Sequence, residues 1–211
     1  TILITYLHFL VKCTREKLHR GGLIINLGMC VYVGNQSIIS LTINGLKQRL
    51  DKDNSLVIQK NKGFVIKVKC LFNDPASTED ITSFENETRW KIPSDLCNFL
   101  LIHNGGLIFE SEYGGGLHLY SLDEMKSNYL PHMPEFFYPI GYYEGEYLFV
   151  DSRKCLNNEL EYLFWDNSAS PFDKWVNLES NFELWLDRFI VSQGSHFWEW
   201  RGYNNKKYYN L

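Results

Sequence analysis

The side chains of this chain that could do chemistry are a cysteine and a histidine in one short stretch, a run of glycines, and a scatter of carboxylates. Cys97 and His103 sit in IPSDLCNFLLIHNGG, Ile92 to Gly106. A thiolate and an imidazole suit zinc, but their spacing on a helix turns through roughly 600°, which leaves them about 120° apart and nearly two turns apart along the axis. They cannot share a metal without ligands from elsewhere. The reading is a buried thiol and a helix-end histidine, and no metal or other cofactor is expected. Gly114, Gly115 and Gly116 are followed by a strand pattern and by no Lys-Ser or Lys-Thr, whereas a phosphate cradle needs a helix amino end at that point. No Ser or Cys stands in a nucleophile elbow, and there is no HExxH.

The carboxylates Glu110, Glu112, Glu144, Glu146, Asp151, Glu159 and Glu161 all fall near predicted strand ends. A glycosidase would set two of them across a sugar and raise the pKa of one with an apolar wall. Tyr113, Tyr142, Tyr143, Tyr147 and Trp165 could stack on the rings. Spacing selects no pair among the seven, so the expectation is a protein that is not an enzyme. The same groups read as a contact surface: Glu110, Glu112, Glu144 and Glu146 supply steering charge, and Tyr113 and Tyr147 supply aromatic anchors.

The elements that must position these groups follow from local pattern. Residues 44–50 suggest a helical turn, and 22–41 read as strand and loop. Residues 55–72 read as a hairpin turned at Asn61-Lys62-Gly63; in its second strand Phe64, Ile66, Val68, Cys70 and Phe72 share one face and Lys67 and Lys69 the other. That basic face is read as solvated, not as a phosphate site. Ser77 and Asp80 form a capping box for a helix to about Thr88. A second helix opens at Pro93 as its first residue; it is apolar nearly all round and stops at Asn104-Gly105-Gly106. Strands are predicted at 107–111 and 116–120. Ser121 and Glu124 cap a short helix, and strands follow at 136–143, 146–151 and 161–166. Ser180 and Glu183 cap a last helix carrying Phe182, Trp185, Leu186, Phe189 and Ile190 on one stripe, ended by Gly194. Helices, then strands, then a closing helix describe an α+β domain with a largely antiparallel sheet.

The chain has 211 residues, 45% hydrophobic and 16% aromatic, enough to bury a sizeable core. Five cysteines without a CxxC pair point to a reducing compartment, and hence to a cytoplasmic location. Thr1 to Val11 is apolar, but its positive charges follow the run instead of preceding it, and it is too short to span a bilayer; no membrane association is expected. Residues 1–40 are taken as an N-terminal extension whose origin is open, and 41–211 as one domain. Residues 1–73 carry 11 Lys and Arg against 3 Asp and Glu, a balance of +8, and 74–211 carry 10 against 22, a balance of −12; together they make the net −4. An acidic body repels nucleic acid and steers in basic proteins; the alternative reading is that an acidic surface simply keeps a cytoplasmic protein soluble.

Taken together, the proline-opened helix, the strand after it and LHLYSLDEM resemble the signature of the SUKH superfamily, which includes the Smi/Knr cell-wall-assembly regulators of fungi and many bacterial immunity proteins. Pro93, Leu96, Phe99, Leu100, Asn104 and Gly105 match its helix motif. Leu119, Tyr120, Ser121, Leu122, Asp123 and Glu124 match the segment after the strand, and Ser180, Phe182, Glu183, Trp185 and Leu186 resemble its closing helix. Coverage runs from about 74 to 192. The resemblance implies a single α+β domain, its sheet flanked by helices, without catalytic residues. Bacterial members look like antidotes that bind and neutralise a cognate toxin, often a nuclease; fungal relatives suggest regulatory adaptors of wall synthesis and signalling. The expectation is therefore an immunity-type protein that occludes a basic toxin domain. The alternatives are an adaptor or, less favoured, a carbohydrate-active or carbohydrate-binding protein.

Overall fold

Local sequence rules account for most elements in the computed structural model, which describes residues 37–130, 132–166 and 171–200. Helix α1 spans Ile38–Arg49, with the Ser37 hydroxyl accepting from the Ser40 N–H at 3.2 Å and Ile39, Ile43 and Leu46 buried at helical spacing. It starts well before residue 44. The strand-and-loop reading of 22–41 therefore fails at its end, because a capping serine and a 3.6-residue apolar stripe outweigh the β-branched pair Ile38-Ile39. The rest of that stretch, and the apolar run Thr1 to Val11, lie outside the described residues.

Strands β1 (Ser55–Gln59) and β2 (Val65–Phe72) form the expected hairpin, turned by a 3-10 turn over Asn61–Gly63 with Lys62 left-handed. Val68 and Cys70 face inward and Lys67 and Lys69 outward; Phe64, assigned to the inner face, is 66% exposed because it precedes the strand. Helix α2 (Thr78–Thr88) has the Ser77–Asp80 capping box. In α3 (Ser94–Leu100) Pro93 is the cap residue, one position earlier than predicted. Leu96, Phe99 and Leu100 are buried, but Leu101 is 37% exposed, so this helix end is not apolar-packed all round. Then come β3 (Gly106–Glu110), β4 (Leu117–Leu119) and α4 (Leu122–Ser127), capped by Ser121 with Glu124. Strands β5 (Phe137–Tyr143) and β6 (Glu146–Asp151), helix α5 (Ser152–Leu156), strands β7 (Leu163–Asp166) and β8 (Val176–Asn177) and helix α6 (Phe182–Val191) complete the order.

The eight strands form one sheet in the order β1 to β8, every pair antiparallel. With six helices among the described residues, this is a single-domain α+β fold. Bulges shape its middle. Between Lys69↔Glu110 and Leu71↔Leu107, β3 spends one residue more than β2. Phe109 takes up the extra residue at φ 61°, so that Ile108 and Phe109 both turn inward and Phe109 stacks on Phe189 of α6 at 6.0 Å. A second irregularity in β5 follows Pro139, which lacks the N–H a central strand would use.

The inner face buries Leu56, Ile58, Val68, Ile108, Leu117, Ile140, Leu148 and Trp165 in one core with residues of α1, α3 and α6, including Ile43, Phe99, Phe182 and Trp185. On the outer face a smaller core of Met133, Phe137, Phe149 and Trp175 covers the β5–β7 region, with Phe149 stacked on Trp175 at 4.1 Å. At the β1–β2 side that face stays open: Val57, Val65 and Leu71 are 62%, 57% and 47% exposed.

Several of the motif residues act as joints between elements. The Asn104 amide oxygen accepts from the Leu122 N–H (3.0 Å) at the start of α4, and its own N–H reaches the Asp74 carbonyl (3.0 Å). Gly105 is left-handed at φ 86°, and a Cβ there would lie 2.6 Å from Ser121 N and 2.7 Å from Leu119 O; one on Gly106 would strike the Leu71 carbonyl. Asp95 in α3 accepts from the Tyr162 hydroxyl (2.5 Å) and from the Glu183 N–H (2.9 Å), while the Tyr162 oxygen accepts from the Phe182 N–H (2.9 Å). The carboxylate thus sits at the positive end of α6. The cap itself differs from expectation: Asn181, not Ser180, is the N-cap and accepts from Leu184 N–H. Glu183 turns away from its own helix, and its buried carboxylate receives the backbone of Ile39 and Ile38 at the start of α1, with burial pushing its pKa up.

Candidate partner-binding surface

In a sheet whose strands follow chain order, connections alternate between its two ends. The links β2–β3, β4–β5 and β6–β7 carry α2, α3, α4 and α5 at one end. The β1–β2, β3–β4 and β5–β6 turns meet at the other. Glu110, Glu112, Tyr113, Glu144, Glu146 and Tyr147 all belong to this turn end. The β3–β4 and β5–β6 turns are separated by two strand spacings, about 10 Å.

The six are not equivalent. Glu110 reaches back to accept from the Gly116 N–H at 2.7 Å, and the Ser111 hydroxyl donates to the Gly114 carbonyl at 2.6 Å, so the β3–β4 loop is held from within. Glu146 accepts from the Trp165 indole N–H at 2.5 Å. These two carboxylates brace the surface. Glu112 and Glu144 are exposed at the turns, and Tyr113 is 91% exposed at the loop tip. Glu144 adopts φ 48° and lies 3.8 Å from His196. Tyr147 is half-buried on the outer sheet face, edge-on to Tyr142 at 5.1 Å.

Sequence pattern gave no sign of the clasp beneath this surface. The Lys60 ammonium donates to the Tyr143 hydroxyl (3.0 Å) and the Gly194 carbonyl (3.3 Å), and Tyr143 donates to the same carbonyl (2.5 Å). Burial lowers the Lys60 pKa and raises that of Tyr143. His196 stacks on Trp198 at 4.9 Å, between Glu144 and Glu199. Lys60, Tyr143 and Gly194 are far apart in sequence and share no periodicity, which is why only the tertiary arrangement reveals them.

The chemical candidates resolve into packing. The Cys70 and Cys97 thiols are pushed up by burial, and Cys155 to about 12 by the same cause. The His103 Nδ1 lies 2.9 Å from the Asn73 carbonyl and its Nε2 2.6 Å from the Lys47 ammonium. A carbonyl can only accept and an ammonium can only donate, so one neutral tautomer, protonated at Nδ1, satisfies both. Burial first, then Lys47, holds its pKa below the usual value, against the Asn73 bond. Among the described residues no group of three His, Cys, Asp or Glu could hold a metal ion, and no helix is long and apolar enough to cross a membrane.

Charge follows the strand order. Of the described residues, 37–73 carry 7 Lys and Arg against 2 Asp, or +5, and those from 74 onward carry 7 against 22, or −15. One flank of the sheet is basic and the remainder acidic.

Residues 75–188 match the SMI1 / KNR4 family (SUKH-1). The chain is similar to the uncharacterized protein YobM of Bacillus subtilis (strain 168), 34% identical over 82% of this chain and 97% of YobM. It is also similar to the uncharacterized protein YnaB of the same organism, 34% identical over 66% of this chain and 93% of YnaB.

Proposed function

We propose, from the premise that this chain belongs to the SMI1 / KNR4 family (SUKH-1), that it is a non-enzymatic immunity-type protein that binds a basic toxin domain and occludes it. A nuclease is the class of toxin that the charge favours, and the cytoplasm is the place where such an antidote acts. The observation that carries the reading is the turn end of the sheet, where Glu112, Glu144 and the 91% exposed Tyr113 project from a body of balance −15. Anions there steer a basic partner, and an exposed tyrosine is the usual anchor once it docks. Tyr147 flanks this patch, while Glu110 and Glu146 hold it in shape. The commitment of those two carboxylates to N–H donors favours binding over acid–base chemistry.

The test is the association rate with a cognate basic toxin domain, measured against salt. Reversal of both exposed charges, Glu112→Lys with Glu144→Lys, is expected to slow association at least about tenfold at low ionic strength and to flatten its salt dependence. An unchanged rate with an unchanged salt slope would reject this surface.

A further inference from the structure

Among the described residues strand β1 is an edge of the sheet, and its outward backbone groups can be accounted for residue by residue. Ser55 faces outward and is closed off: its N–H donates to the Asp51 carboxylate (2.9 Å) and its carbonyl accepts from the Asp51 N–H (2.8 Å). Asn54 and Lys60 turn the other way, to Cys70 and Phe64. The antiparallel alternation then puts Ser55, Val57 and Gln59 outward. The Gln59 N–H is met by the Gln193 side-chain oxygen at 2.7 Å, an exposed contact that a competing carbonyl can displace. Val57 N–H and C=O have no partner among the described residues, and the Val57 side chain is 62% exposed.

A shallow hollow opens at this point, lined by Arg49, Asp51, Ser55, Leu56, Val57 and Lys67. Arg49 comes from the end of α1 on the helix side of the sheet, while Lys67 lies beside Val57 on the outer side. Lys67 is bridged to Asp51 at 3.2 Å, whereas Arg49 has no carboxylate within ion-pair distance among the described residues.

We propose that the β1 edge is a second interaction site, separate from the acidic turn end, which takes an extended acidic segment of another protein as a ninth strand. The backbone of the added segment would pair with Val57 and, on release of Gln193, with Gln59. Successive side chains of a strand point to opposite faces, so two adjacent acidic residues would reach Arg49 on one side and Lys67 on the other. Charge decides the occupant. A second copy pairing about Val57 would set Arg49 and Lys67 against their own counterparts, and residues 1–36 of this chain, with 4 Lys and Arg against 1 Glu, carry the wrong sign.

The probe is a blocked peptide, Thr-Val-Glu-Glu-Val-Thr, titrated into the full-length protein while backbone amide resonances and amide exchange are followed. The expected result is saturable binding that shifts the Val57 amide and slows its exchange at least about tenfold. Arg49→Glu should weaken binding at least about tenfold, as should Val57→Pro, which removes the outward N–H of an edge position without breaking the β2 ladder. Gln193→Ala should strengthen it by freeing Gln59. Thermal melts of each variant confirm that the fold is kept. Absence of binding overturns the proposal. So does equal binding by a Lys-Lys version, by a backbone N-methylated version, or by folded Val57→Pro. Self-association or competition by a peptide covering residues 1–36 would assign the edge to another occupant and likewise overturn it. None of these outcomes bears on the turn-end reading, whose residues lie elsewhere.

Discussion

His103 shows how a residue with chemical potential is turned to structural use. Its neutral tautomer bridges the Lys47 ammonium and the Asn73 carbonyl, and its pKa is held down. A histidine whose folded pKa is depressed stabilises the fold above its unfolded value of about 6.5, and the contribution is lost as pH falls below that value. Urea unfolding of the wild type should lose more stability between about pH 7.5 and pH 5 than that of His103→Gln, whose amide does not titrate; equal losses would contradict the assignment. Glycine supplies a second residue-scale test. Gly63 and Gly105 are both left-handed, yet a Cβ on Gly63 meets open space and one on Gly105 meets the backbone of Leu119, Tyr120 and Ser121. Gly63→Ala should cost about 1 kcal/mol, the left-handed penalty alone, and Gly105→Ala clearly more, at least about 2 kcal/mol.

Among the elements, α3 is held to α6 by Asp95 and Tyr162 as well as by the Phe99–Phe182 contact at 5.4 Å. Asp95→Asn removes an anion from the first turn of α6 and should destabilise by about 1–2 kcal/mol. Combined with Tyr162→Phe the effect should be non-additive by at least about 0.5 kcal/mol, because both side chains serve the same α6 amino end. Additive losses would mean that the two act independently. This joint also explains how far sequence could see. Ser77 and Ser121 announce their helices because a capping box is contained within four successive residues. Ser180 and Glu183 mislead because Asp95 and the start of α1, distant in sequence, compete for the same backbone and carboxylate groups.

At the scale of the whole molecule, the basic flank adjoins the acidic turn end. Lys67 and Lys69 stand on β2, where Lys69 pairs with Glu110, and β2 lies roughly one and a half strand spacings, about 7 Å, from the β3–β4 turn, within the screening length of about 8 Å at physiological salt. Reversing Lys67 and Lys69 together should therefore speed association with a basic partner at least about twofold at ~150 mM salt, opposite in sign to reversal at Glu112 and Glu144. An unchanged rate would mean that the basic flank lies outside the field that governs encounter.

What the sequence determined by itself was everything local or periodic: the α+β class, the two capping boxes, the β1–β2 hairpin with its two faces, the apolar stripe of α6, and the motif that marks the family. Short-range hydrogen bonds and alternation carry that information within a few residues. The bulge that turns Phe109 inward, the roles of Asp95 and Glu183, the clasp of Lys60, Tyr143 and Gly194, and the division of the turn-end carboxylates into braces and exposed charges were decided only by the tertiary structure. Each depends on which distant backbone groups arrive beside a side chain. The charge asymmetry needed both. It is written in the sequence as a basic stretch followed by an acidic one, and it becomes a field with two sides only because the strands lie in the sheet in the order in which they occur in the chain.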